Sequence, residues 1–139
     1  MKKVLILGGD NSYHNLMMAA LIKHISYDRI DVQSASVRSG KIDPLAQKVL
    51  QEIGIDLQKE KNHTMNEFLH TKFDIIITTS KEAREKVNTL MSSTTKIHKE
   101  FDDPRKLKGS KFDKENAYRE LRDEMQEWLS EFVQRHRLV

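Results

Sequence analysis

The residues best suited to binding or catalysis follow a short apolar run near the amino terminus. Residues 4–7 are Val-Leu-Ile-Leu, and the next eight are Gly8, Gly9, Asp10, Asn11, Ser12, Tyr13, His14 and Asn15. If a buried strand ends here and a helix begins here, backbone N–H groups converge and the helix dipole favours negative charge. The pattern therefore predicts a binding loop for a small anion. Alternatively, the two glycines are there only to let the strand and the helix pack closely, without any ligand, and this alternative stays open.

The absence of cysteine excludes several kinds of chemistry. A chain with no cysteine cannot form disulfides, cysteine-ligated zinc or iron–sulfur sites, or any thiolate nucleophile. Two of the six histidines, His63 and His70, are seven residues apart, but a metal site needs a third ligand close by in a tighter geometry. The sequence therefore predicts neither a metal site nor a cofactor.

The charge pattern narrows the choice of partners and compartment. The 24 basic and 21 acidic residues are interspersed, whereas nucleic-acid-binding proteins concentrate basic residues on one face or tail. The lysines between residues 106 and 114 are interpreted as a solvated loop. No apolar stretch is long enough to span a bilayer, and the first apolar run is too short for a secretory signal. We therefore expect a cytoplasmic protein without a nucleic-acid or membrane partner.

Strands and helices alternate along the chain and would position this loop. We predict strands over residues 4–7, 30–37, 73–78 and 95–98, with helices between them, a short helix opened by a capping box at 64–67, and a long terminal helix over about 113–136. This order predicts one α/β domain over residues 1–139, a three-layer sandwich with a four-stranded parallel sheet and helices on both faces. Ligands of such sheets bind beyond the carboxyl ends of the strands, where residues 8–15 and 101–104 would meet.

Four segments of the chain resemble the low-molecular-weight protein tyrosine phosphatase superfamily. The first strand, loop and helix are similar in VLILGGDNSYHNLMMAALIKH. Three more segments resemble the thioredoxin-coupled arsenate reductase branch: VQSASVRSGKIDPLAQKVLQEIGIDL, FDIIITTSKEAREKV, and KEFDDPRKLKG followed by AYRELRDEMQEWL. The resemblance covers nearly the whole chain in the right order, so it implies that family's fold.

The chain departs from the family at the residues that carry out its chemistry. The family's phosphate loop is a cysteine, five residues, an arginine, and then serine or threonine; Gly8, His14 and Asn15 occupy these positions, while Asn11 and Ser12 match. The reductase branch's two further cysteines fall near Ser80 and Val87. Glycine has no group to attack phosphorus or arsenic, and a neutral histidine cannot form arginine's bidentate fork. The family's phosphatase and arsenate reductase mechanisms are therefore excluded.

The resemblance leaves two roles open for Asp103. Its place before Pro104 matches the family's general acid, but Asp102 and Asp103 could instead cap a turn. Asp10 would repel an oxyanion, or could attract a metal or hydrogen-bond a sugar. Tyr13 and His14 could contact a ligand or cover the helix end.

Three functional hypotheses follow from these residues. The first is a binding module without thiol chemistry that takes a small oxyanion or a phosphorylated partner at residues 8–15. The second is an enzyme with changed chemistry on a phosphate-containing substrate, using Asp10, His14 and Asp103. The third is an interaction protein whose surface lies elsewhere.

Overall fold

The central sheet contains five parallel strands within the residues that the structure, a computed structural model, describes: 1–9, 12–38, 43–90 and 93–138. The elements in chain order are β1 (Lys3–Gly8), α1 (Ser12–Ser26), β2 (Asp31–Ser36), α2 (Pro44–Gln51), β3 (Asn62–Thr64), β4 (Phe73–Thr78), α3 (Lys81–Leu90), β5 (Ser93–His98) and α4 (Lys111–Arg135). Short 3₁₀ turns occupy Leu57–Lys59, Met65–Phe68 and Pro104–Lys106. The strand order is β3-β2-β1-β4-β5, with β1 at the centre.

The extra strand, β3, corrects the predicted count of four. It is three residues long, polar, and pairs with the end of β2 in the register Ser34 with Asn62. The Asn62 side chain secures it, accepting from the Ser34 hydroxyl at 3.0 Å and donating to the Ser36 hydroxyl at 2.8 Å. A strand held by side-chain amide hydrogen bonds at a sheet edge lacks the apolar pattern that sequence reasoning requires. The α/β class and the parallel arrangement are confirmed.

The two faces of β1 are buried in two separate cores, which makes the fold a three-layer sandwich. Val4 and Ile6 pack in the larger core, which holds buried residues of α1, α2 and α4. Leu5 and Leu7 pack in the smaller core with Ala83 of α3. All four side chains are fully buried, as expected for the central strand of a parallel sheet.

The predicted starts of α2 and α3 are confirmed, and each of them carries a side-chain cap. The Asp43 carboxylate accepts from the Leu45 backbone N–H at 2.9 Å at the start of α2, and the chain leaves this helix through Gly54 at a positive φ of 83°. Ser80 Oγ accepts from the Ala83 backbone N–H at 3.1 Å at the start of α3. The terminal helix begins slightly earlier than predicted, because Ser110 forms a capping box with Asp113. No helix among the described residues is long and apolar enough to cross a membrane.

The end of α1 offers a stabilising substitution. Tyr27 has a φ of 52° and its side chain is 82% exposed, so it is held in the left-handed region with little packing in return. Because glycine adopts this region without steric cost, Tyr27→Gly is expected to raise the free energy of unfolding by about 0.5 to 1 kcal/mol. Urea unfolding measures the change. Tyr27→Ala, which keeps the steric cost, is the control and is expected to give no gain.

Candidate functional site

The side chain of Asn15 fills the space above Gly8. A Cβ atom on Gly8 would lie 2.6 Å from Nδ2 and 2.8 Å from Cγ of Asn15, and closer still to Oδ1. The amide is fully buried: Nδ2 donates to the Ala35 carbonyl at 2.8 Å, and Oδ1 accepts from the Thr79 hydroxyl at 3.1 Å. These bonds tie α1 to β2 and to the residue after β4. The place where a nucleophilic side chain at position 8 would stand is therefore occupied.

The rest of the predicted loop lies at the carboxyl end of β1. The Gly8 carbonyl accepts from Val37 N–H at 2.9 Å and the Gly9 carbonyl from Arg38 N–H at 3.2 Å, so the backbone pairing of β1 with β2 continues past the strands. Ser12 is the first residue of α1, and the first turn of this helix carries no acidic residue. Asp10 and Asn11 lie outside the described residues.

Tyr13, Asp103 and Arg105 form one cluster that joins the first turn of α1 to the turn at residues 104–106. The buried Tyr13 hydroxyl donates to the Asp103 carboxylate. Arg105 donates to the same carboxylate from Nε at 3.2 Å to each oxygen, from Nη2 at 3.0 Å, and from its backbone N–H at 3.0 Å. Its guanidinium also lies 4.9 Å from the centroid of the Tyr13 ring. We call these three residues the Tyr13 cluster.

The environment of Asp103 favours an ionised carboxylate. Burial raises its pKa, but the hydrogen bonds from Arg105 and Tyr13 outweigh that effect and bring it to about 2. Burial raises the pKa of the Tyr13 phenol, and its hydrogen bond to Asp103 adds to this, so the phenol stays protonated and donates. The turn-capping role predicted for Asp103 is present, since it caps the 3₁₀ turn. A general acid must carry a proton, which this carboxyl holds only in strong acid.

His14 is a buried, uncharged ring beside the Tyr13 cluster. It is 2% exposed, its ring centroid lies 4.4 Å from that of Tyr13, and Nε2 has no hydrogen-bond partner among the described residues. Burial lowers its pKa to about 4, against a smaller opposing effect of the Asp103 charge. A buried ring nitrogen without a partner costs free energy. When the ring is protonated, Nε2 carries a hydrogen that a bound anion can accept.

The remaining predicted positions have structural roles. Ser80 caps α3 and Val87 is buried in the smaller core, so neither stands in a reactive setting. His63 Nδ1 lies 3.1 Å from Glu67, and the described residues contain no group of three side chains that could hold a metal. Sequence reasoning missed Arg105, whose position two residues after Asp103 is the spacing at which a turn-capping carboxylate meets a backbone N–H.

Comparison with known proteins agrees with this architecture. A family model described as low molecular weight phosphotyrosine protein phosphatase matches residues 3–138. Arsenate reductase of Halalkalibacterium halodurans is 29% identical over 133 residues, and that of Bacillus subtilis 26%, each match covering 96% of both chains. A solved arsenate reductase in the phosphate binding state aligns with a TM-score of 0.76 and 21% identity over 97% of this chain and 98% of that one. This chain therefore belongs to the low molecular weight phosphotyrosine protein phosphatase family.

Proposed function

We propose that the protein is a non-catalytic member of its family that binds a small oxyanion, free or on a phosphorylated partner, at residues 8–15. The observation that carries the proposal is the buried Nε2 of His14, which has no partner among the described residues and lies in the first turn of α1. The sequence expectation of a cytoplasmic setting is part of this proposal.

The loss of thiol chemistry has support at two levels. The chain has no cysteine, so the nucleophile of the family mechanism is missing. The Asn15 amide also fills the space above Gly8, so no other side chain can take the nucleophile's place without displacing it. The missing thiol and the filled space at the nucleophile position together support a function in which no covalent intermediate forms.

Retained anion binding is supported by the charges around the loop. The N-terminus of α1 carries partial positive charge and has no acidic residue in its first turn, whereas Asp10, two residues before the helix in sequence, opposes an anion. Arg105 lies beside Tyr13, and the one described carboxylate in the cluster, Asp103, is already compensated by it. A solved protein with this fold is an arsenate reductase in the phosphate binding state, and this supports an oxyanion site in a protein of this fold.

A changed enzymatic activity has weaker support at this site. An enzyme using Asp103 as acid needs that carboxyl protonated, whereas its pKa near 2 leaves it ionised at neutral pH. His14, with a pKa near 4, is neutral at the same pH and cannot supply the charge of the family's arginine. Binding is therefore the function that this geometry supports best.

Anion binding is expected to strengthen as the pH falls. An anion beside His14 favours the imidazolium, so it raises the histidine pKa above its free value of about 4. The complex then binds a proton more tightly than the free protein, and affinity rises as the pH falls through the bound-state pKa toward 4. Sulfate is the suitable probe because it stays a dianion over this range.

A thermal-shift titration tests the proposal. Sulfate at about 100 times its dissociation constant is expected to stabilise the fold by about 2.7 kcal/mol, a shift of several degrees in the melting temperature. The shift should be larger at pH 5 than at pH 8. His14→Gln, which keeps a hydrogen-bonding group but no titratable charge, should remove the pH dependence, and His63→Gln should leave it unchanged. The proposal is wrong if sulfate, phosphate and arsenate all leave the melting temperature unchanged.

A further inference from the structure

One face of α4 carries a stripe of glutamates that have no ion-pair partner in the described part of the chain. Glu120, Glu124, Glu127 and Glu131 follow one another at spacings of four, three and four residues, which places them on one side of a helix. All four side chains are exposed, and each of them lines a cavity beside the helix. The stripe is far from Gly8 in sequence and does not belong to the loop at residues 8–15.

Other charges of α4 are paired, which sets the stripe apart. Lys48 Nζ forms an ion pair with the Glu115 carboxylate at 2.8 Å. Arg119 and Arg122 both form ion pairs with the Glu52 carboxylate, at 2.7 Å and 3.0 Å. The side of the helix that packs against α2 thus satisfies its charges within the chain. The glutamate stripe leaves its negative charge available to another molecule.

Two cavities lie along the stripe and share Glu124. One has a volume of about 440 Å³, and its lining includes the apolar Pro104, Leu107 and Leu121 together with Lys106 and with Asp103 of the Tyr13 cluster. The other, of about 170 Å³, is lined by Lys99, Phe101 and Trp128 together with three glutamates of the stripe. We call the two cavities together the α4 groove.

The aromatic wall of the groove already holds a cation. Lys99 Nζ lies 5.1 Å from the centroid of the Phe101 ring, and this ring meets Trp128 edge-to-face at 6.2 Å. Ring faces surrounded by carboxylates attract ammonium and guanidinium groups through both the quadrupole and the charge. The groove combines apolar surface, an aromatic wall and four glutamates against two lysines, Lys99 and Lys106. This excess of negative charge suits basic side chains separated by apolar ones.

We propose that the α4 groove is a docking site for a short basic segment of another protein, with arginine or lysine side chains facing the glutamates and apolar side chains in the larger cavity. Glu120 and Glu131 are about 16 Å apart along the axis at the rise of an α-helix. An extended peptide of about five residues covers this distance. A second copy of the chain is a poorer occupant, because a symmetric pairing of α4 with α4 would bring the two acidic stripes together.

Trp128 provides a direct reporter, because it is the only tryptophan in the chain and lies in the groove. We would titrate the full chain with the blocked hexapeptide Arg-Leu-Arg-Arg-Leu-Arg and follow tryptophan fluorescence. A saturable change is expected, and raising the salt concentration should weaken the affinity because exposed charges are screened. The same peptide with glutamine in place of arginine should produce no saturable change.

Charge-neutral variants locate the binding site. The double substitution Glu124→Gln, Glu127→Gln is expected to weaken peptide affinity by about five- to tenfold. The reason is that it removes two partly exposed ion pairs between these glutamates and the arginines of the peptide. Glu85→Gln with Asp28→Asn removes the same net charge at exposed positions outside the groove and should leave affinity unchanged. Both pairs of substitutions replace exposed residues, so we expect them to fold, and far-ultraviolet circular dichroism checks this.

Three results would overturn the proposal. The first is no saturable change of fluorescence with the arginine peptide, and the second is equal affinity for the wild type and the Glu124→Gln, Glu127→Gln variant. The third is a concentration-dependent dimer, seen by sedimentation, that the same variant abolishes, since the groove would then hold a second copy. The proposal does not depend on anion binding at residues 8–15, and sulfate titrations at His14 test that site separately.

Discussion

Gly8→Ala is expected to lower the free energy of unfolding by about 1 to 3 kcal/mol, the range found for overpacked interiors. The added methyl group would lie within 3 Å of the Asn15 amide, which is buried and hydrogen-bonded to Ala35 and Thr79 and so cannot simply rotate away. Urea unfolding at neutral pH measures the loss. The effect is specific to position 8: Gly54→Ala meets no neighbouring atom, and its cost comes from the positive φ alone.

A double-mutant cycle tests whether Asn15 is the cause. Asn15→Ser shortens the side chain and removes buried hydrogen bonds, so alone it should also destabilise. Combined with Gly8→Ala, it makes room for the methyl group, and the two costs should sum to more than the double variant shows, with a coupling of about 0.5 to 3 kcal/mol. Additive costs would contradict the packing explanation.

On the same reasoning, Gly8→Cys alone should not produce a working phosphatase loop, because Asn15 fills the space that the thiol needs.

The pairing of Gly8 with Asn15 also shows where sequence reasoning stops. Compared with the family pattern one position at a time, Gly8 replaces a cysteine and Asn15 replaces a serine or threonine, as two separate differences. In the fold they are one exchange of volume, since position 8 gives up a side chain and position 15 gains one that enters the same space. The sequence alone shows that position 15 is larger and position 8 smaller than the family pattern. Only the fold shows that the two side chains would occupy the same space.

The fold itself was largely predictable because its signals are local. The apolar run of β1, the Asp43-Pro44 start of α2 and the Ser80 cap of α3 each depend on a few neighbouring residues. β3 was missed because its stability comes from Asn62 reaching across to Ser34 and Ser36 on another strand. The Tyr13 cluster joins residues 90 apart in sequence, and no local sequence pattern predicts which residues form such a contact.

Tyr13→Phe is expected to lower the free energy of unfolding by about 1.5 to 3 kcal/mol at pH 7, which is the usual contribution of a hydrogen bond to a charged group. The phenol donates to the Asp103 carboxylate, and phenylalanine preserves the ring that packs in the core while removing only that donor. Urea unfolding measures the change. In an Asp103→Asn background the same substitution should cost clearly less, because the charge that strengthens the bond is gone. An unchanged cost in that background would contradict the assigned role.

The same carboxylate predicts how stability depends on pH. The folded pKa of Asp103 is about 2, below the ordinary value of 3.8, so the native state binds its proton less readily than the unfolded chain does. Its contribution to stability is therefore complete above about pH 5 and is lost as the pH falls toward 2. After allowance for solvent screening, this contribution is about 1 to 2 kcal/mol. Unfolding measurements from pH 6 to pH 2 should show that the wild type loses this much more stability than Asp103→Asn, which has no carboxyl to titrate at that position. Equal slopes for the two proteins would mean that Asp103 is not held ionised by Tyr13 and Arg105, and would reopen its assignment as a proton donor.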